Sequence, residues 1–220
     1  MPLKAVLFDM DGVIVDTEPL HRKAYYKMFS ELGLIVEDDL YASFTGASTQ
    51  SVCEKLIAHF NLDFTWQDLA GIKRNYFKHF FDTDPEFDLI PGVRALIEHY
   101  HRNGLTLILA SSAHMNTIHW VFEKFGLNSF FKTKVSGADL KESKPHPEIF
   151  QLAAQLADAH PNECLVIEDS TNGIKAANAA GIFCAAYASK HSLRQNYDTA
   201  DLLVYDFDEL KIEKIQAYFG

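Results

Sequence analysis

From about residue 93 onward the sequence switches repeatedly between short, unbroken apolar runs and stretches with helical periodicity. LTLILA (105–110), ECLVIE (163–168) and IFCAAY (182–187) each match the length of one strand and lack polar alternation. Strands of that kind are buried on both faces, which requires a parallel sheet with helices on each side. The intervening segments supply the helices: one over about 93–102, one over about 114–125, then PEIFQLAAQLA and NGIKAANAAG. KTKVSG and LLVY (202–205) add short strands, and a last helix closes the chain. One more apolar run, KAVLF (4–8), stands apart at the start.

Between that first strand and the alternating region, residues 16–88 read as helix throughout. In TEPLHRKAYYKMFSELG the apolar residues Leu20, Ala24, Met28 and Leu32 recur at helical spacing. Thr17 is placed to cap this helix, Pro19 is tolerated in its first turn, and Gly33 ends it. SVCEKLIAHF and WQDLAGIKRNYFKHFF are two further amphipathic helices. The fold class is therefore α/β, a Rossmann-like parallel-sheet core with an inserted all-helical domain. The expected boundaries are 1–15 with 89–220 for the core and 16–88 for the insertion. A chain of 220 residues is long enough for both.

The formal net charge is -10 and no Lys/Arg run occurs, which argues against nucleic acid as a partner. Cys53, Cys164 and Cys184 are widely spaced and form no CxxC, so neither a disulfide framework nor a zinc site is expected. The first residues lack a signal-peptide pattern, and no apolar run is long enough to span a membrane. The expectation is a cytoplasmic protein without membrane attachment.

The chemistry lies where strands end, because open parallel sheets bind ligands at the carboxyl ends of their strands. The first strand runs into Asp9 and Asp11, with Gly12 turning the chain away. Carboxylates this close repel unless a cation neutralises them, and hard oxygen donors of this kind suit Mg²⁺. LTLILA ends in the hydroxyls of Ser111 and Ser112. ECLVIE ends in Glu168 and Asp169, followed by Ser170, Thr171, Asn172 and Gly173. Lys144 precedes a Pro-initiated helix in KESKPHPEIF. A nucleophilic carboxylate, a second carboxylate, a hydroxyl, a lysine and a metal pair at one edge form a phosphoryl-transfer constellation. Taken alone, DMDG is also compatible with a calcium loop or a bare turn. Ser170 reads as a cap of the next helix, and Glu168 either binds the metal directly or supports the group that does. His99 and His101, two apart on a helix, make a poor metal pair. Lys55, His114 and His119 read as surface residues.

DMDGVIVDTE, LASS, ESKPHPEIF and VIEDSTNGIKAANAAG, in that order, resemble the four motifs of the haloacid dehalogenase superfamily. The likeness covers essentially the whole chain. It points to the branch that holds β-phosphoglucomutase and sugar-phosphate phosphatases, whose helical cap follows the first motif. The resemblance implies Asp9 as nucleophile and Asp11 as general acid and base. It implies that Ser111 bonds a phosphoryl oxygen and that Lys144 neutralises charge. Mg²⁺ would be held by Asp9, the main-chain carbonyl of Asp11, Glu168 and Asp169. His21, Thr45, Thr49, Lys73 and Ser112 are the candidates for contact with the rest of the substrate. In the mutase, the cap segment matching SFTGASTQSV supplies a lysine and an arginine; here Thr45 and Thr49 stand at those places. The resemblance therefore implies a Mg²⁺-dependent phosphatase of small phosphomonoesters, sugar phosphates above all, acting as a monomer. The alternative is a phosphosugar mutase, and a non-catalytic binding protein is disfavoured because every motif acid is present.

Overall fold

Residues 2–44, 48–188 and 195–220 are described by a computed structural model. In chain order the elements are β1 (Ala5–Phe8), then α1 (Glu18–Glu31), α2 (Asp38–Ala42), α3 (Thr49–Phe60) and α4 (Trp66–Thr83). There follow α5 (Val93–Arg102), β2 (Thr106–Ser111), α6 (Met115–Lys124), β3 (Thr133–Ser136), α7 (Glu148–Leu156), β4 (Cys164–Glu168), α8 (Thr171–Ala179), β5 (Phe183–Tyr187), β6 (Leu202–Val204) and α9 (Ile212–Ile215). The chain divides into two units, Met1–Asp16 with Asp88–Gly220, and Thr17–Phe87.

The first unit holds one sheet, in the order β3-β2-β1-β4-β5-β6, with every neighbouring pair parallel. β1 is central: Leu7 lies opposite Ile108 of β2 on one side and Val166 of β4 on the other. Ala5, Val6, Leu7 and Phe8 have no exposed surface. This double burial is why the strand is apolar at every position instead of at alternate ones. From β1 the chain builds outward to β3, then returns to build β4 to β6 on the other side. The carboxyl ends of β1 and β4 therefore flank the point where strand order reverses, the place where such sheets open a crevice. Ile108, Ala110, Phe150, Ala153, Val166 and Ala177 belong to the core cluster of this unit.

Two local expectations are corrected. β2 begins one residue later than the run 105–110, so Ser111 is its last residue and pairs with Ser136. The expected last helix is broken into a single turn, α9, between two 3-10 turns. Phe207, Leu210, Ile215 and Phe219 are the buried residues of that stretch. Tyr100 anchors the segment, donating its hydroxyl to the Leu210 carbonyl at 2.5 Å.

The second unit is helical. α1 and α3 both pack on α4, with Met28, Phe29, Cys53, Leu56 and Leu69 in the core. Ser48 caps α3 by accepting from the Ser51 amide at 3.2 Å. Thr65 and Asp68 form a reciprocal capping box on α4. Thr17 does not cap α1, contrary to expectation: its backbone is already helical (φ -90, ψ -8), whereas capping residues take extended angles. No helix among the described residues is long and apolar enough to cross a membrane.

Candidate active site

Asp9 extends the β1 ladder by one bond, its amide donating to the Ile167 carbonyl at 3.0 Å. That bond fixes the main chain, and the carboxylate lies buried at the sheet's carboxyl edge. The chain then turns sharply: the Gly12 amide donates to the Val15 carbonyl at 2.8 Å, and the Val15 amide to the Met10 carbonyl at 3.0 Å. Gly12 has φ +85, and a Cβ there would lie 2.0 Å from Asp169 Oδ2. The turn needs glycine twice over, for its dihedral and for the carboxylate packed against it. Asp11, the residue before it, is partly exposed.

Lys144 crosses from the loop before α7 to join these groups. Its ammonium donates to Asp9 Oδ1 at 2.5 Å, to Glu168 Oε1 at 2.7 Å and to the Ala110 carbonyl at 3.0 Å. All three donors are thus placed, and the side chain is almost fully buried. The Lys144–Pro145 peptide is cis. Burial alone would pull the lysine's pKa down, but the charges of Asp9 and Glu168 hold it above its ordinary value. For Asp9, burial pushes the pKa well up; Lys144 opposes this, while Glu168 and Asp169 add to it.

Glu168 ends β4, and both of its oxygens are engaged. Oε1 meets Lys144, and Oε2 accepts from the Asp169 amide, the Ser170 amide and the Ser170 hydroxyl at 2.8, 2.7 and 2.9 Å. A Cβ on residue 173 would lie 1.7 Å from Oε1, so the glycine gives the carboxylate its room. These contacts orient Lys144 and fix the Glu168 carboxylate at the end of β4. Ser170 caps α8, accepting from the Gly173 amide at 3.1 Å. Ser111 accepts from the Ala113 amide at 3.1 Å, which leaves its own O–H available to donate. Ser112 beside it is exposed.

Asp9 and Glu168 share the Lys144 ammonium, and Asp169 adds a third carboxylate near Asp9, a concentration of negative charge that a further cation would stabilise. The oxygens of Asp9, Asp169 and the Asp11 main chain form a hard donor set, which fits Mg²⁺. Among the described residues no three His, Cys, Asp or Glu side chains already form a metal-holding cluster.

His21, Thr49 and Lys73 lie in the helical unit, and Thr45 falls outside the described residues. Lys73 is buried, with Nζ 2.6 Å from His21 Nδ1. The His21 ring stacks on Phe77 at 4.4 Å, and Nζ lies 5.0 and 5.2 Å from the ring centres of Tyr25 and Phe77. Burial, then the charge of Lys73, lowers the His21 pKa to about 3; burial lowers that of Lys73 to about 8. Thr49 hydrogen-bonds the Tyr25 hydroxyl. Tyr25 and Phe77 were missed by the sequence reasoning. The available signal was spacing, since each lies four residues after a polar partner, His21 and Lys73, on the same helix face.

The family described as haloacid dehalogenase-like hydrolase matches residues 6–187. A phosphorylated carbohydrates phosphatase of Thermotoga maritima is 30% identical, covering 87% of each chain. The β-phosphoglucomutase of Bacillus subtilis is 28% identical over 96% of this chain and 93% of its own. Among solved structures, CbbY from Rhodobacter sphaeroides in complex with phosphate superposes with a TM-score of 0.81 at 27% identity. That match covers 94% of this chain and 96% of the other.

Proposed function

The chain belongs to the haloacid dehalogenase-like hydrolases, and from that premise we propose that it is a Mg²⁺-dependent phosphatase of small phosphomonoesters, sugar phosphates in particular. One observation carries the reading: the Lys144 ammonium ties Asp9 to Glu168 while Asp169 packs on the Gly12 turn. A carboxylate fixed in this way supports the reading of Asp9 as a nucleophile toward phosphorus.

In the proposed sequence Asp9 attacks phosphorus, and the bond to the leaving oxygen breaks as Asp11 delivers a proton to it. Asp11, now a carboxylate, takes a proton from water, and that water displaces phosphate from the aspartyl-phosphate. Asp9 is restored and Asp11 ends protonated, so the cycle closes. The Nζ–Oδ1 bond fixes the plane of the nucleophile's carboxylate. The Ser111 hydroxyl would donate to a phosphoryl oxygen, and the Lys144 charge beside Asp9 would offset the negative charge gathered there. Mg²⁺, held by Asp9, Asp169 and the Asp11 carbonyl with Glu168 adjacent, would neutralise charge on the phosphoryl group.

The mutase reading has the Bacillus relative and Lys73 in its favour. Against it, a mutase must grip a second phosphate with strong cations in the helical unit. Thr45 and Thr49 stand where the mutase carries its lysine and arginine, and Lys73, the buried cation of that unit among the described residues, has its pKa lowered by burial to about 8. The test is phosphate release from a panel of phosphomonoesters, with and without Mg²⁺, by the wild type and Asp9→Asn. Metal-dependent release that is lost in Asp9→Asn supports the phosphatase. Faster interconversion of hexose 1- and 6-phosphates than release would overturn it in favour of the mutase.

A further inference from the structure

β2 ends in Ser111, the hydroxyl assigned to the phosphoryl group, and the turn to Ala113 follows it; pairing with β3 sets the strand, but the turn needs its own support. Ser111 Oγ accepts from the Ala113 amide, which closes the turn on itself but does not tie it to the rest of the sheet edge. The outside tether comes from the end of β3. Ser136, itself buried, donates its hydroxyl to the Ala113 carbonyl at 2.9 Å. Gly137 follows, and its backbone is seated directly against the turn. A Cβ there would lie 3.2 Å from Ser112 Cα and 3.4 Å from the Ser111 carbonyl oxygen, with Ile149 Cδ1 of α7 at 3.5 Å. The first two are main-chain atoms, which cannot rotate aside as a side-chain end can.

We infer that Ser136 and Gly137 are positioning residues that hold the Ser111–Ala113 turn in register for a phosphate group. The inference rests on the phosphoryl-site reading above, and it adds residues that the four sequence motifs do not contain. A buried hydroxyl with a defined acceptor fixes the turn from one side, and the absence of a side chain at 137 lets β3 approach from the other. Removing the Ser136 hydroxyl leaves the Ala113 carbonyl without this donor and loosens the turn by a fraction of an ångström. A methyl at 137 pushes the turn outward by a few tenths of an ångström. Either change acts on phosphate through Ser111, not through the metal or Asp9.

The test reads the affinity for inorganic phosphate by calorimetry in saturating Mg²⁺, together with kcat and KM for whichever phosphomonoester the wild type prefers. Ser136→Ala and Gly137→Ala are each expected to weaken phosphate binding by about 5–10-fold, one neutral hydrogen bond's worth. Ser136→Thr, which restores the donor, is expected to return it to within about 2-fold. In a Ser111→Ala background the effect of Ser136→Ala should largely vanish, since both then act on the same missing contact. A merely structural role predicts equal losses in both backgrounds and no rescue specific to the hydroxyl, and that result overturns the inference. Wild-type affinity in Ser136→Ala overturns it equally. If Gly137→Ala does not fold, the Ser136 series decides alone. Phosphate release by the wild type with no change in Ser136→Ala sinks this inference but not the phosphatase. Phosphate binding with the expected variant pattern, but no release from any ester, sinks the phosphatase and leaves this inference standing. A wild type that binds no phosphate overturns both.

Discussion

The buried His21–Lys73 pair makes stability depend on pH in a window that few other groups occupy. His21 keeps a pKa of about 3 in the folded chain, against about 6.5 for an exposed histidine. Between those values the unfolded chain binds a proton that the folded chain refuses. Stability is therefore greatest above pH 6.5 and falls as the pH drops toward 3. By pH 5 the loss attributable to His21 is about 2 kcal/mol, 1.5 pH units at about 1.36 kcal/mol each. Lys73, lowered to about 8, is protonated in both states throughout this window and contributes no slope. The carboxylates held below their ordinary range, Asp68, Glu163 and Asp208, act mainly below pH 5. His21→Asn keeps an acceptor where Nδ1 met Lys73 but cannot titrate. It loses the stacked ring on Phe77 and should be less stable at pH 7.5 by about 1–2 kcal/mol. That deficit should shrink to near zero by pH 5. The assay is urea unfolding at several pH values from 7.5 to 5. Trp66 fluorescence is followed in a Trp120→Phe background, because Trp66 lies in the helical unit and Trp120 in the other. Parallel stability curves for the two proteins would show that His21 is not held neutral, and the reasoning would fail.

Three other changes test the acidic centre. Gly12→Ala places a methyl on the Asp169 carboxylate, and the Mg²⁺ concentration for half-maximal phosphate release should rise by about 10–100-fold; an unchanged metal dependence would exclude Asp169 from the metal site. Lys144→Met strands Asp9 and Glu168 without their shared counter-charge and should cost about 3–5 kcal/mol of unfolding free energy in denaturant titration, along with phosphate release; a fully stable variant would contradict the buried bridge. Chelation of divalent cations should abolish phosphate release, and added Mg²⁺ should restore it; release that persists after exhaustive chelation would refute metal dependence.

Much of the first unit could be read locally. A strand buried on both faces must be apolar at every position, so AVLF, LVI and CAA stand out without any knowledge of their neighbours. Because ligands bind at the carboxyl ends of such strands, Asp9, Ser111 and Asp169 at those ends could be singled out from position and chemistry together. Lys144 was weaker: in isolation it is an ordinary lysine, and its weight came from the Ser-Lys-Pro context. The failures share a cause. Thr17 has the right residue type for a cap but not the backbone angles, and the closing helix has helical spacing over a single turn only.

The sequence by itself determined the alternation of apolar strands with helices and which acids lie at strand ends. These follow from periodicity and from residues adjacent in the chain. The tertiary structure decided that β1 lies between β2 and β4, and that Lys144 bonds both Asp9 and Glu168. It also decided that Lys73 meets His21 across 52 positions of sequence, and that β3 braces the turn after β2. Those pairings join residues far apart in the chain. No local pattern encodes them, because each depends on how buried helices and strands pack around it.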